Sequence, residues 1–138
     1  MRFMVMVRAD KDTEAGIMPS TESLAAMGKF NEEMVQAGIM LAGEGLHASA
    51  RGTRLAFAGG APVLTDGPFP VSEVVCGFWM LQVKSKDEAV AWMKRAPFGS
   101  GATVEIRQVF EAEDFGAEFT PELREQEERL RAQTAARR

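Results

Sequence analysis

Apolar positions along the chain predict four strands. Two segments, Arg2–Arg8 and 77–83, are apolar at nearly every position, which is typical of strands covered on both faces. Residues 39–46 form a shorter candidate strand that contains two glycines, and 103–110 alternates apolar with charged side chains as a half-exposed strand does. We therefore expect a sheet whose central strands are covered on both faces and in which at least one edge strand is partly exposed to solvent.

Three further segments have the signals of helices. The first follows a possible N-cap at Ser20, has apolar residues near helical spacing and stops at Gly38. The second begins after Ser85 and stops at Pro97. The third, about 122–134, is highly charged and has only a thin apolar stripe, so its charged side chains are read as a solvated face.

A hairpin is predicted between the second and third strands. Residues 54–58 and 61–65 flank Gly59 and Gly60, a pair suited to a two-residue primed turn. The next segment, 66–70, contains one glycine and two prolines, so it is expected to leave extended pairing as an ordered turn.

The order strand, helix, strand, hairpin, strand, helix, strand predicts an α+β chain of the ferredoxin-like, split βαβ type with an inserted β-hairpin. The predicted domain covers 1–114, and 115–138 forms a charged helical extension. Two helices cover one face of such a sheet, whereas Arg2–Arg8 and 77–83 are apolar on the other face as well. Because an uncovered apolar face is costly, we expect a homodimer whose sheets pack face to face.

Composition excludes several classes of function. With one cysteine and one histidine among 138 residues, the chain can form neither a disulfide framework nor a Cys/His zinc site, and we expect no metal and no cofactor. The 20 acidic against 16 basic side chains disfavour nucleic acid as a partner. The opening apolar run is too short for a signal peptide or a membrane span, so a cytoplasmic protein without membrane association is expected.

Several motifs together resemble a known family. They are Asp-Gly-Pro-Phe at 66–69, Gly-Phe-Trp at 77–79 and Ser-x-Asp-Glu-Ala-Val at 85–90, with Gly-Glu-Gly-Leu at 43–46 and Val-Glu-Ile-Arg at 104–107. As a set, over residues 1–114, they resemble the DGPF branch of the YCII-related proteins. The resemblance implies a dimeric α+β barrel of ferredoxin-like subunits.

For function, the resemblance implies less. Some YCII-related proteins are suspected enzymes with a His and Asp pair, and the DGPF branch is often associated with extracytoplasmic-function sigma factors. This chain departs from the pattern twice: 70–73 retains one acid and no lysine, and 20–37 contains no histidine. The pair is therefore not carried over whole.

Three residues are candidates for proton transfer. Asp66 can act as a general base or, equally, cap its own turn by accepting backbone N–H bonds. Histidine is the residue type whose side chain titrates near neutrality, which makes His47 a candidate. The alternative is that His47 is simply an exposed loop residue. Glu44 lies between two glycines that leave room for a ligand, and the alternative is a surface carboxylate at a strand end.

Four more residues are candidates for ligand binding. Glu73 can join Asp66 in a pair of carboxylates, while Phe69, Phe78 and Trp79 can line an apolar pocket or simply fill the core. Cys76 is expected to be an inert thiol.

Two classes of function remain open. The first is a protein that binds a small, partly apolar organic ligand, with possible proton transfer centred on Asp66, assisted by His47 or Glu44. The alternative is a non-catalytic accessory protein that acts through protein contacts, for which the sigma-factor association comes only from the family resemblance.

Overall fold

The computed structural model describes residues 1–137, which form two compact units, Met1–Gln108 and a second unit that begins at Val109. The first unit contains six strands and three α-helices, and the second contains one α-helix. In chain order they are β1 (Arg2–Arg8), α1 (Lys11–Glu14), α2 (Thr21–Gln36), β2 (Met40–Gly45), β3 (Thr53–Ala56), β4 (Val63–Asp66), β5 (Val75–Gln82), α3 (Lys86–Met93), β6 (Val104–Gln108) and α4 (Pro121–Ala136).

The main sheet is antiparallel, with strand order β2-β5-β1-β6. Strands β3 and β4 form a separate two-stranded hairpin inserted between β2 and β5. Without the hairpin, the order is that of a ferredoxin-like sheet, as the sequence of elements predicts.

One face of the sheet forms the core of the first unit. Phe3, Val5, Trp79 and Leu81 alternate along the two central strands and are buried on this face. Helix α2 adds Phe30 and Met34 to the same core, and helix α3 adds Ala89 and Met93. Because side chains alternate along a strand, Met4, Met6, Phe78 and Met80 lie on the opposite face, where all four are half-buried.

The helix boundaries follow the predicted capping signals. The Oγ atom of Ser20 accepts from the Ser23 backbone N–H at 3.1 Å, and that of Ser85 accepts from Glu88 at the same distance. Gly38 has φ 73°, which lets the chain leave α2.

The hairpin differs from the prediction. Its last cross-strand pair is Ala56 with Val63, so residues 57–62 form the connection and Gly59-Gly60 is not a two-residue primed turn. At the other end, Asp66 pairs with Thr53 inside the ladder, so Asp66 ends a strand instead of starting the turn. The predicted turn was one residue too long. Proline cannot pair because it has no backbone N–H, whereas Asp66 keeps its N–H and pairs as the last residue of the strand.

Two other elements were missed or misplaced. Helix α1 follows a capping box in which Asp10 and Thr13 exchange hydrogen bonds at 2.8 and 2.9 Å, a signal visible in the sequence as Asp-x-x-Thr. Strand β5 begins at Val75, two residues earlier than expected, so Cys76 belongs to the strand and does not precede it.

The second unit combines a short 3₁₀ turn, Ala112–Phe115, with α4. The Phe110 and Phe115 rings stack with centroids 4.9 Å apart, and the Phe115 and Phe119 rings are tilted against each other at 5.2 Å. Across residues 1–137, no helix combines the length and apolarity that a bilayer crossing requires.

Gly43 in β2 tests the packing of the core. A Cβ atom there would lie 2.8 Å from Cδ1 of Trp79 and 2.6 Å from Cε of Met40, too close for either atom to stay in place. We expect Gly43→Ala to lower the free energy of unfolding by about 1–3 kcal/mol, the usual cost of overpacking. Urea denaturation measures it.

Gly45, two residues further along the same strand, supplies the matched control. A Cβ atom there would meet nothing within 4 Å, so Gly45→Ala should leave stability unchanged or raise it slightly. Equal losses of stability in both variants would contradict the packing described for Trp79.

Candidate functional site

A cavity of about 550 Å³ lies in the first unit, between the core face of the sheet, helix α2 and the loops that follow α1 and β2. The cavity exists because two paired positions of neighbouring strands, Gly45 and Gly77, carry no side chains on the face that it occupies. Trp79, two residues beyond Gly77, therefore presents the next side chain along this wall. A volume of this size accommodates a small organic molecule.

Trp79 is held in place from several directions. Its ring makes edge contacts with Phe30 and Phe98, at centroid distances of 6.0 and 6.1 Å. Its indole Nε1–H donates to the side-chain oxygen of Asn31 at 2.9 Å. Because an indole nitrogen only donates, this bond fixes the Asn31 amide with its oxygen towards Trp79 and leaves the NH₂ group as a donor beside the cavity.

The rim of the cavity is unusually apolar for a surface. Ile17, Met18 and Leu46 line it and are 58%, 77% and 49% exposed. Ile17 and Met18 lie on the connection between α1 and α2, and Leu46 directly follows β2. Grouped apolar side chains of this kind around a concave surface are typical of a binding site.

Two cationic or titratable side chains lie at the same rim. His47 and Arg51 both line the cavity and are exposed. The Nη1 atom of Arg51 lies 3.0 Å from Nδ1 and 3.1 Å from Nε2 of His47. The two ring nitrogens form hydrogen bonds in diverging directions. An atom that is equally distant from both lies along neither direction, so Nη1 of Arg51 forms a strong hydrogen bond with neither nitrogen. Arg51 thus rests against the imidazole with its donors largely uncommitted.

Cys76 also lines the cavity and is half-buried. Burial raises the pKa of its thiol, and the negative charge of Asp10 raises it further, against a smaller lowering by a hydrogen bond with Thr13. At neutral pH the group is therefore a neutral thiol, which agrees with the expectation that it is unreactive.

Ser49 connects the rim to two other parts of the fold. Its backbone N–H donates to the Glu14 carboxylate at 3.0 and 3.3 Å, and its hydroxyl donates to the same carboxylate. The hydroxyl also accepts from the backbone N–H of Phe69 at 2.9 Å. One side chain thus links α1, the loop with His47 and Arg51, and the Asp-Gly-Pro-Phe turn.

The turn itself packs against this loop. A Cβ atom on Gly67 would lie 1.8 Å from the carbonyl oxygen of Ser49, so only glycine fits there. The backbone N–H of Gly67 donates to the carbonyl of Gly52 at 3.0 Å. The Phe69 ring lies under the guanidinium of Arg54, which is 3.9 Å from the ring centroid. Gly67 and Phe69 therefore have an architectural role in holding the rim loop.

The structure separates the candidate residues of the sequence into two groups. Glu44, His47, Phe78 and Trp79 belong to the cavity wall. Strand alternation, however, directs the side chains of Glu44 and Phe78 to the opposite face of the sheet, so these two reach the cavity through their backbone. Gly43, which was expected to leave room for a ligand beside Glu44, is instead filled by Trp79.

The other three candidates lie around the hairpin and the turn, outside the cavity wall. Asp66 is exposed and accepts from the hydroxyl of Thr53 at 2.9 Å. Glu73 forms an ion pair with Arg54 at 2.9 Å, and Phe69 packs under the same arginine. Glu73 is thus paired with a cation, and its combination with Asp66 in a pair of carboxylates stays a prediction.

Sequence reasoning missed Arg51, Asn31, Glu14 and Ser49. Arg51 follows His47 by four residues, a spacing that brings side chains together across one helical turn, and this was the one usable signal. The contacts of Asn31, Glu14 and Ser49 join residues 20 to 48 positions apart, which no local pattern reveals. No group of three or more His, Cys, Asp or Glu side chains within residues 1–137 is arranged to hold a metal ion.

Comparison with known proteins identifies the class. The family model of the YCII-related domain matches residues 1–113, and the chain belongs to this family. The narrower assignment to the DGPF branch stays a prediction. No curated protein sequence matches the chain.

One solved structure is similar in part. It is 5-chloro-2-hydroxyhydroquinone dehydrochlorinase from Burkholderia phenoliruptrix AC1100, in complex with 2,5-dihydroxybenzoquinone. The two chains share 14% identity with a TM-score of 0.44, and the match covers 82% of this chain and 98% of the other.

Removal of the Ser49 hydroxyl tests the connection between the turn and the rim. Ser49→Ala leaves the Phe69 N–H without its acceptor and removes one donor from the Glu14 carboxylate. We expect the free energy of unfolding to fall by about 1–3 kcal/mol, the cost of leaving such groups unsatisfied. Chemical denaturation measures the change.

The control is Ser100→Ala, since Ser100 lies in an exposed turn. Its effect should stay within about 0.5 kcal/mol, as for most surface substitutions. If Ser49→Ala were equally neutral, the connection would not stabilise the protein.

Proposed function

We propose that this YCII-family protein binds a small, partly apolar organic ligand in the cavity beside Trp79. The supporting observation is the combination of an open volume of about 550 Å³, an apolar exposed rim and a small number of polar groups that face the same space. Pockets that bind small molecules have this composition, in which the apolar wall supplies affinity and a few polar groups fix orientation.

The cavity also indicates which residue would take part in chemistry. Of the three proton-transfer candidates, His47 is the one whose side chain is available at the cavity wall. Asp66 ends β4 and is bonded to Thr53. We therefore assign general acid or base catalysis on a bound ligand to His47 and not to Asp66, whose carboxylate serves the hairpin.

Nuclear magnetic resonance provides a direct test, because the chain contains two tryptophans and so two indole N–H signals. Trp79 lines the cavity, whereas Trp92 does not belong to its wall. Titration with monocyclic aromatic compounds at millimolar concentration should shift the Trp79 signal saturably, and the Trp92 signal should move much less. The variant Trp92→Phe assigns the two signals.

Asp66→Asn is the matched control. The asparagine oxygen can still accept from Thr53, so the fold and the titration curves should both be retained. If no compound moves the Trp79 signal, or if both indole signals move together, the cavity is not a ligand site. The accessory role through protein contacts would then be favoured.

We further propose that the protein is a homodimer whose sheets face each other. Within Met1–Gln108, both α2 and α3 pack on the core face, while Met4, Met6, Phe78 and Met80 lie together on the other face. Residues of opposite charge border this patch, among them Arg8 and Glu105, which are 4.0 Å apart. A symmetric partner would cover the methionines with an identical surface.

Light scattering after size exclusion tests the dimer. The expected mass is twice 15.1 kDa at micromolar concentration. Met80→Glu should shift the protein to the monomer, because each protomer would then bury a charge in the interface between the sheets. A monomeric mass for the unmodified chain would refute this proposal.

A further inference from the structure

Arg51 has no carboxylate partner among residues 1–137, although most other arginines in the first unit have one. Arg54 pairs with Glu73 at 2.9 Å, Arg95 pairs with Glu33, and Arg8 and Arg107 both lie within 4.0 Å of Glu105. The chain has four more acids than bases, so carboxylates are plentiful. An arginine that contacts none of them and faces a cavity is placed to meet a negative charge from elsewhere.

Besides Arg51, the polar side chains that line the cavity are those of Thr13, Asn31, His47 and Cys76, none of which carries a negative charge at neutral pH. The Asn31 oxygen accepts from Trp79, so the NH₂ group is the part of this amide that remains to donate to a ligand. The one acidic residue in the wall, Glu44, lies at a strand position whose side chain points to the opposite face. A negatively charged ligand would therefore meet a cation and an amide donor there, while the nearby carboxylates of Asp10 and Glu14 lie outside the cavity wall and accept from Thr13 and Ser49.

Arg51 lies at the rim beside His47. The guanidinium rests against the imidazole at 3.0 and 3.1 Å, and its remaining N–H groups keep the planar arrangement that binds a carboxylate through two parallel hydrogen bonds. Arg51 follows His47 by four positions, and Ser49 between them is held by Glu14. The loop that carries Arg51 is therefore anchored beside the cavity at Ser49.

We propose that the ligand of the cavity is a small organic acid, with its apolar body against Trp79 and its carboxylate at Arg51. This inference rests on the proposed function, since it names the chemical class of the molecule that the cavity binds. Both ends of the site are needed: the apolar wall holds the body of the ligand, and the arginine selects its charge.

The test compares acids with neutral amides of the same shape. Three pairs of probes are benzoate with benzamide, phenylacetate with phenylacetamide, and 3-phenylpropionate with its amide. Each is titrated against the full chain, and the Trp79 indole signal reports binding. We expect at least one acid to bind tenfold or more tightly than its amide, and Arg51→Met to remove this preference while leaving amide affinity within about twofold.

Two variants control for charge and folding. Arg107→Met removes the same charge from a side chain that is 72% exposed and outside the cavity wall, so the preference for acids should be retained. Arg51→Lys keeps the charge but not the paired donors, so it should restore part of the preference. Continued binding of the amides shows that the Arg51→Met cavity is intact.

The possible failures are distinct. If amides bind as tightly as acids, or if Arg51→Met weakens both equally, the inference is wrong and the cavity remains a ligand site. If Arg107→Met removes the preference as well, the selection comes from overall charge and the inference is again wrong. If none of the six compounds moves the Trp79 signal, both the inference and the proposed function are overturned.

Discussion

The position of the candidate site's rim loop depends on the hydrogen bonds of the Ser49 hydroxyl. The hydroxyl donates to Glu14 and accepts from the backbone of Phe69, so a single short side chain holds three segments that are distant in sequence. Gly67 allows this by letting the turn approach the Ser49 carbonyl more closely than any side chain would permit. The loop thus fixed is the one that contains His47 and Arg51.

This arrangement changes the meaning of the Asp-Gly-Pro-Phe motif in this chain. A conspicuous motif with a carboxylate suggests catalysis, yet Asp66 bonds to Thr53 and Phe69 packs under Arg54, both away from the cavity wall. The motif has a structural role at the rim of the cavity. Its residues fix the position of the rim loop, while side chains outside the motif face the cavity.

Much of the fold could be predicted from sequence because its signals are local. Continuous apolar runs indicated the central strands, and Ser20 and Ser85 marked where helices begin. The hairpin connection was wrong because two adjacent glycines are compatible with a short primed turn and also with the longer connection observed, which uses Gly59 at φ 86°. Local pattern does not decide between these lengths.

The site was harder to predict, for a physical reason. Trp79 could be identified as a pocket or core residue, and it is in fact both, since it is buried and lines the cavity. The glycines of β2 gave an ambiguous signal: Gly43 makes room for Trp79, and Gly45 makes room for the cavity. Arg51 and Asn31 gained their roles from tertiary contacts, and residue type alone does not reveal such contacts.

The central claim is that the cavity beside Trp79, and not the turn around Asp66, is the ligand site of this YCII-family protein. A crystal structure of the protein grown with phenylacetate tests it most directly. We expect the phenyl ring against Trp79 and the carboxylate within about 3 Å of the Arg51 guanidinium nitrogens. A phenylacetate molecule bound against Asp66 and Phe69, with the cavity closed by protein side chains, would contradict it.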